Sequence, residues 1–403
     1  DRGMSLGKLT VLVLLLDPMR RVTALHGVTK SCRSSSRRAT AVSMDLPSYV
    51  PQEDIDVISE PAAMAAFASM QTAQLNLPSG VATGPVDVTY LKTQVPAMAG
   101  RPPLLLVHGF DISSLEYRRL IPKLEAAGVE AYAPCVAGWG FTDTRNLRTV
   151  GVEGKRAELL AFQEQVLEGR PAVWVGASLG ACIALDCYKA KPSAFTAMVN
   201  LDPGFFTDAP PAVPSFIGRL LLQNVLSAPS VRESIAKQAY AVKELQTEDA
   251  IRCGNLHLNR PQWEDDSLEW LLGGAYGGIE EDVPTLAAIP TLTLWGREDG
   301  VIPPDNTVPK LVAALPDASF RWVETSGHTP HLEQPAFTAD AIAAFVRGEK
   351  VLGDSDVTKI VATYKTKEEL KRKALAMGDA MVQQLTSTGQ QAIEKAKEFL
   401  ANK

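Results

Sequence analysis

Residues 172–185 read Ala172-Val173-Trp174-Val175-Gly176-Ala177-Ser178-Leu179-Gly180-Ala181-Cys182-Ile183-Ala184-Leu185. A short apolar run enters a Gly-x-Ser-x-Gly turn, and a helix-compatible segment leaves it. A serine at such a sharp strand-to-helix turn has a strained backbone and needs glycines beside it, because any Cβ there would collide with the neighbouring chain; the hydroxyl then stands free at the end of the sheet. The pentapeptide alone would occur by chance in about one chain of this length in ten. Its context raises it well above that level.

Three further segments fit around this turn. Upstream, Leu104-Leu105-Leu106-Val107 reads as a buried strand ending in His108-Gly109-Phe110. The backbone N–H of Phe110 could join that of Leu179 in an oxyanion hole. Downstream, Thr291-Leu292-Thr293-Leu294-Trp295 leads into Gly296-Arg297-Glu298-Asp299, and Ser319-Phe320-Arg321-Trp322-Val323 leads into Ser326-Gly327-His328-Thr329-Pro330. Serine, acid and histidine thus follow one another in the chain, each just past the carboxyl end of a strand. In an open parallel sheet those ends converge on one crevice.

These pieces, together with Gly138-Trp139-Gly140-Phe141-Thr142-Asp143 and with Glu333 and Pro335 after His328, resemble the α/β-hydrolase superfamily over residues 85–350. The stretches Arg232 to Asp265 and Leu315 to Pro335 are similar to plastid-type α/β-hydrolases of plants and algae. The resemblance implies an α/β-hydrolase fold, a mostly parallel eight-stranded sheet flanked by helices with an inserted helical lid, and a hydrolytic triad.

A serine hydroxyl is a poor nucleophile near neutral pH and needs a base within hydrogen-bond reach. His328 suits that role, since imidazole titrates near neutrality and can return the proton to the leaving group. His331 is the rival, but Pro330-His331-Leu332-Glu333 reads as a helix start where a structural hydrogen bond is the expected task. Asp299 would orient the imidazole. Asp202, past the strand Ala197 to Leu201, competes with it, because some members of the superfamily place their acid there. Gly300 and Pro303 after Asp299 favour the later position. His108 reads as a loop-ordering residue, and Cys182 as packing. The expected chemistry is hydrolysis of an ester or related acyl bond through an acyl-Ser178 intermediate, with no cofactor and no metal. Carbon–carbon bond cleavage or acyl transfer by the same triad, or a ligand receptor or scaffold on this fold, are the alternatives.

Composition agrees with a globular enzyme. The chain has 403 residues, 46% hydrophobic and 21% charged, with net charge −6, so nothing in its electrostatics calls for nucleic acid. Five cysteines, Cys32, Cys135, Cys182, Cys187 and Cys253, lack the pairing of a zinc site or a disulfide framework.

The expected organisation has four parts. Residues 1–50 form a targeting segment: the apolar run Val11 to Leu16 is far short of a membrane span, and Met19 to Ser43 carries arginine, serine and threonine without any acid. This is a transit-type composition that points to a plastid, with mitochondrion or secretory pathway as alternatives. Residues 51–203 and 286–350 form the hydrolase core, with an edge strand at Val86 to Leu91, a strand at Val129 to Tyr132, and helices at Ser114 to Ala126, Lys155 to Glu168, Ser178 to Ala190, Thr307 to Ala314 and Pro335 to Val346. Residues 204–285 form the lid, whose Phe205, Phe206, Phe216, Trp263 and Trp270 are expected to face an apolar small-molecule or lipid substrate. Residues 351–403 form a helical extension whose apolar stripe packs on the core or docks to a surface. No transmembrane span is expected.

Overall fold

A computed structural model describes residues 47–349 apart from 98–99, 209–212, 274–275 and 278. The expected targeting segment lies outside the described residues but for 47–50, as does the C-terminal extension throughout. Eight strands form one sheet: β1 (Gln71–Leu75), β2 (Val86–Lys92), β3 (Leu104–Val107), β4 (Ala131–Pro134), β5 (Ala172–Ala177), β6 (Phe195–Leu201), β7 (Thr291–Gly296) and β8 (Ser319–Val323), in the order β1-β2-β4-β3-β5-β6-β7-β8. The β1–β2 and β2–β4 pairs are antiparallel, and all the others are parallel.

The central strands are apolar on both sides because both faces are covered, as parallel sheets require. Every residue of β3, β5 and β7 is buried. With a period of two, Leu105, Val107, Trp174 and Trp295 join one core, whereas Leu104, Leu106, Val173, Val175, Leu292 and Leu294 join the other. In chain order the helices are α1 (Gln52–Asp56), α2 (Pro61–Ser69), α3 (Ile121–Ala126), α4 (Val152–Gln165), α5 (Leu179–Ala190), α6 (Ser215–Leu221), α7 (Pro229–Ala239), α8 (Glu248–Asn255), α9 (Trp263–Gly273), α10 (Pro304–Ala314), α11 (Pro330–Glu333) and α12 (Pro335–Val346). Leu159 and Phe162 of α4, Ile183 and Leu185 of α5, and Val308 and Leu311 of α10 cover the first face; Phe67 of α2, Leu124 of α3 and Ile342 of α12 cover the second.

Two expectations need correction. The segment Val86 to Leu91 is not an edge strand, because β1 pairs outside it along five residues from Gln71↔Tyr90 to Leu75↔Val86. The sequence Gln-Thr-Ala-Gln-Leu of β1 is polar and largely uncovered, as suits a true edge. The helix over Ser114 to Ala126 is broken into a 3-10 turn, Ser114–Tyr117, and α3. Pro122 lacks the N–H an uninterrupted helix would use, and starts a new one.

Helices α6 to α9 all lie between β6 and β7. Leu222, Leu226, Trp263, Leu268 and Leu271 form a small core of their own there, so this segment buries much of its apolar surface internally. Among the described residues no helix is long and apolar enough to cross a membrane.

Candidate active site

Ser178 caps α5 directly after β5, with φ 52° and ψ −119°, a region that side-chain-bearing residues rarely occupy. The two glycines explain how the turn closes. A Cβ on Gly180 would lie 2.1 Å from the Val107 carbonyl oxygen, and one on Gly176 would lie 2.4 Å from Ala181 Cα. The Ser178 N–H donates to Leu201 O at 2.9 Å, and its carbonyl accepts from Gly204 N–H at 3.0 Å, so the strained residue is clamped from β6.

The His108-Gly109-Phe110 loop approaches from β3. A Cβ on Gly109 would stand 3.4 Å from Ser178 Cβ. Gly109 N–H donates to Glu116 Oε2 at 2.9 Å, and the His108 ring bridges the Gly109 carbonyl and the Val136 N–H, each at 2.9 Å. Burial pushes the His108 pKa down to about 4, so it is a neutral ordering group. Leu179 opens α5, so its N–H has no intrahelical acceptor, and among the described residues the Phe110 N–H is engaged by no hydrogen bond. Both sequence-expected oxyanion donors are therefore unspent beside Ser178.

The loops after β7 and β8 are pressed together because residue 296 is glycine: a Cβ there would be 1.8 Å from the Gly327 carbonyl oxygen. Glu298 N–H donates to Ser326 O at 2.9 Å. Asp299 Oδ1 accepts the N–H groups of Val301 and Ile302, both at 2.8 Å, and this leaves Oδ2 for His328 Nδ1 at 2.8 Å. Burial depresses the His328 pKa, but the Asp299 charge and hydrogen bond, with Glu116 and Glu333 beyond, outweigh it and raise the pKa above 6.5.

Asp202, the rival acid, is fully buried after β6 with φ 44°. Its Oδ1 accepts Gly296 N–H at 2.8 Å; its Oδ2 has no partner among the described residues. One ligand atom each of Asp202, Asp299 and His328 lie within 4.8 Å of one another. Burial, and then the neighbouring Asp299 charge, push the Asp202 carboxyl well above the ordinary range. The shift opposes a second negative charge beside Asp299. His331 is buried with Nε2 3.2 Å from Glu116 Oε1 and its ring 5.3 Å from that of Tyr117.

Ser178, His328, Gly109 and Phe110 line one cavity of about 250 Å³ with Leu115, Leu226, Ile235, Ala236, Ala239, Ala250 and Leu332. None of the five aromatics expected to face substrate borders it. Phe205 is buried in the sheet core and Phe206 packs against that core, Phe216 is 65% exposed, Trp263 belongs to the small core between β6 and β7, and the Trp270 ring lies tilted against that of Phe110 at 4.2 Å. One side of the cavity is made by α7 and α8, with Ala236, Ala239, Ala250 and Gly254 beside the larger Arg232 and Ile235.

Two acids hold the loops. Glu116 fastens Gly109, as above. Glu333 accepts Gly327 N–H at 2.7 Å with one oxygen and the N–H groups of Ala241 and Val242 at 2.8 Å with the other, tying the His328 loop to the chain leaving α7. His328 N–H also donates to Ala239 O at 2.8 Å.

The Alpha/beta hydrolase family matches residues 104–341, which contain this whole arrangement. The chain belongs to that family. The Alpha/beta hydrolase domain-containing protein VTE7 of Arabidopsis thaliana is 29% identical over 317 residues, covering 78% of this chain and 94% of that protein. Lipase 3 of Moraxella sp. (strain TA144) is 27% identical over 262 residues, 62% of this chain and 78% of the lipase. Among solved structures, a thermophilic esterase from Thermogutta terrifontis superposes with a TM-score of 0.58 at 18% identity, covering 69% of this chain and 98% of the esterase; that likeness concerns the fold. The chain is an α/β-hydrolase enzyme, similar to esterases and lipases.

Proposed function

We propose that this chain is a serine hydrolase that cleaves an ester or related acyl bond of an apolar small molecule or lipid through Ser178, His328 and Asp299. The observation that carries the reading is the 2.8 Å bond from Asp299 Oδ2 to His328 Nδ1 in a loop that lines the same cavity as Ser178 on its strained turn. With Nδ1–H given to Asp299, the ring presents an unprotonated Nε2 to take the serine proton as Oγ attacks the carbonyl carbon. Charge developing on the carbonyl oxygen is met by the Phe110 and Leu179 N–H groups, each worth on the order of 3 kcal/mol. His328 passes the proton to the departing alcohol. A water deprotonated by the same nitrogen then releases the acid and frees Ser178.

The segment 204–285 acts as a lid in this reading, and its α7 and α8 supply the aliphatic wall. A cavity of about 250 Å³ lined by Leu115, Leu226, Ile235, Ala236 and Leu332 suits a medium apolar chain. Each buried methylene contributes about 0.8 kcal/mol, so two added carbons raise kcat/KM by roughly tenfold until the space is filled. The test is kcat/KM for p-nitrophenyl acetate, butyrate, hexanoate and octanoate, with Ser178→Ala alongside. A rising series that saturates supports the reading, and a flat or falling one points to a small polar substrate. A plastid location belongs to the same proposal, supported by the acid-free, arginine-rich stretch Met19 to Ser43 and by the relative from Arabidopsis thaliana.

A further inference from the structure

Asp111 follows Phe110 directly and has φ 47°. Its buried carboxylate is where the segment between β6 and β7 fastens to the oxyanion loop. Oδ1 bonds His257 Nε2 at 2.9 Å and accepts the indole N–H of Trp263 at 2.8 Å; Oδ2 accepts Arg232 Nη1–H. Arg232 also donates to the Asp111 carbonyl at 3.3 Å and to Asn255 Oδ1 at 2.9 Å. The three side chains come from α7, from the 3-10 turn Leu256–Asn259 and from the start of α9. Burial opposes ionisation of Asp111, but the Arg232 charge and these hydrogen bonds outweigh it and hold the carboxyl far below the ordinary range. The Phe110 ring lies 4.2 Å from that of Trp270 in α9 and 5.2 Å from that of Trp139 in the loop after β4.

A non-glycine residue at positive φ persists only where its surroundings over-determine it. Here the surroundings are the inserted helices, and the residue so held adjoins an oxyanion donor. We propose that Asp111 is a positioning residue which fastens the inserted helices to the oxyanion loop, so that the Phe110 N–H is correctly aimed only when those helices are docked. The inference rests on the serine-hydrolase reading above. It adds that the catalytic step, not only substrate binding, depends on the lid.

The test compares an oxygen ester with the matching thionoester, whose sulfur is larger and a weaker acceptor and so gains less from backbone N–H donors. In Asp111→Asn, kcat for the oxygen ester should fall about 100-fold, as loss of one oxyanion donor does, with KM within about threefold, while kcat for the thionoester moves less than about threefold. Trp263→Phe removes one donor and keeps an aromatic ring at the position, so it serves if Asp111→Asn does not fold; its ester-to-thionoester ratio should fall severalfold. Equal losses on both substrates, or an unchanged ratio in both variants, would overturn the positioning role while leaving Ser178-dependent turnover of the unaltered chain intact. Ester turnover that survives in Ser178→Ala would remove the underlying reading as well.

Discussion

Replacing Asp299 by Asn separates the two candidate acids. Asp299 Oδ1 is committed to the N–H groups of Val301 and Ile302, so an amide at this position keeps its oxygen there and turns its NH2 toward His328 Nδ1. That nitrogen must then act as acceptor, and the ring proton moves to Nε2, the atom that has to receive the serine proton. Removing the carboxylate also deprives the imidazolium of its counter-charge. At about 4 Å and an effective dielectric near 20 that interaction is about 4 kcal/mol, roughly 10³ in rate. With the tautomer defect the expected loss in kcat is about 10⁴, in line with other triads. Asp202→Asn should cost less than about tenfold, because an amide of similar shape keeps the oxygen that accepts Gly296 N–H and leaves the Asp299–His328 bond in place.

The pH profile supplies a second readout. His328 works as an unprotonated base, so kcat/KM climbs as pH rises through its raised pKa. Without the Asp299 charge, burial dominates and the acidic limb of the residual activity moves to lower pH. The pairing also contributes stability that is complete below 6.5 and fades as pH rises through the folded-state value, and the variant should lose that dependence. Steady-state turnover of p-nitrophenyl butyrate from pH 5 to 9 measures the rates and their profile, and thermal melts over the same range measure the stability. A larger loss in Asp202→Asn than in Asp299→Asn would refute the assignment and move the acid to the end of β6.

Other expectations follow from individual contacts. His331→Ala should leave kcat within about threefold, since the ring packs behind Glu116 and Tyr117 and does not itself line the cavity; its expected signature is a lowered melting temperature, worth about 1–3 kcal/mol. Gly180→Ala should cost more than about 3 kcal/mol or prevent folding, because the added methyl would meet backbone at 2.1 Å. Gly254→Ala, in α8 with nothing within 4 Å of the new methyl, should stabilise the chain by about 0.5–1 kcal/mol. Thermal melts of the two glycine variants check both.

How far the sequence carried the structure depends on whether a feature is local. Leu104–Val107, Ser319–Val323 and Pro335–Val346 have the bounds read from the sequence, because full burial in the first, alternation of polar and apolar residues in the second and a starting proline in the third leave strong marks in a short window. β1 escaped because an exposed edge strand of Gln, Thr and Ala has no apolar alternation. The aromatics were misassigned for a different reason. An apolar side chain between β6 and β7 can fill a cavity wall or a private core, and Leu222, Trp263 and Leu271 chose the latter. Meanwhile Ala236, Ala239 and Ala250, too small to stand out, border the cavity. Glu116 and Asp111 were unreadable as site residues, and Glu333 was read only as part of the family resemblance, because their partners are backbone groups or side chains brought close only by the fold.

The most direct test of the account is covalent labelling of the purified chain with a fluorophosphonate, read by intact mass and peptide mapping, beside hydrolysis of p-nitrophenyl butyrate. The account predicts one adduct on Ser178, loss of hydrolysis in step with labelling, and neither labelling nor hydrolysis above background in Ser178→Ala and His328→Ala. An unlabelled Ser178 in a folded chain, or ester turnover that persists in Ser178→Ala, would contradict it.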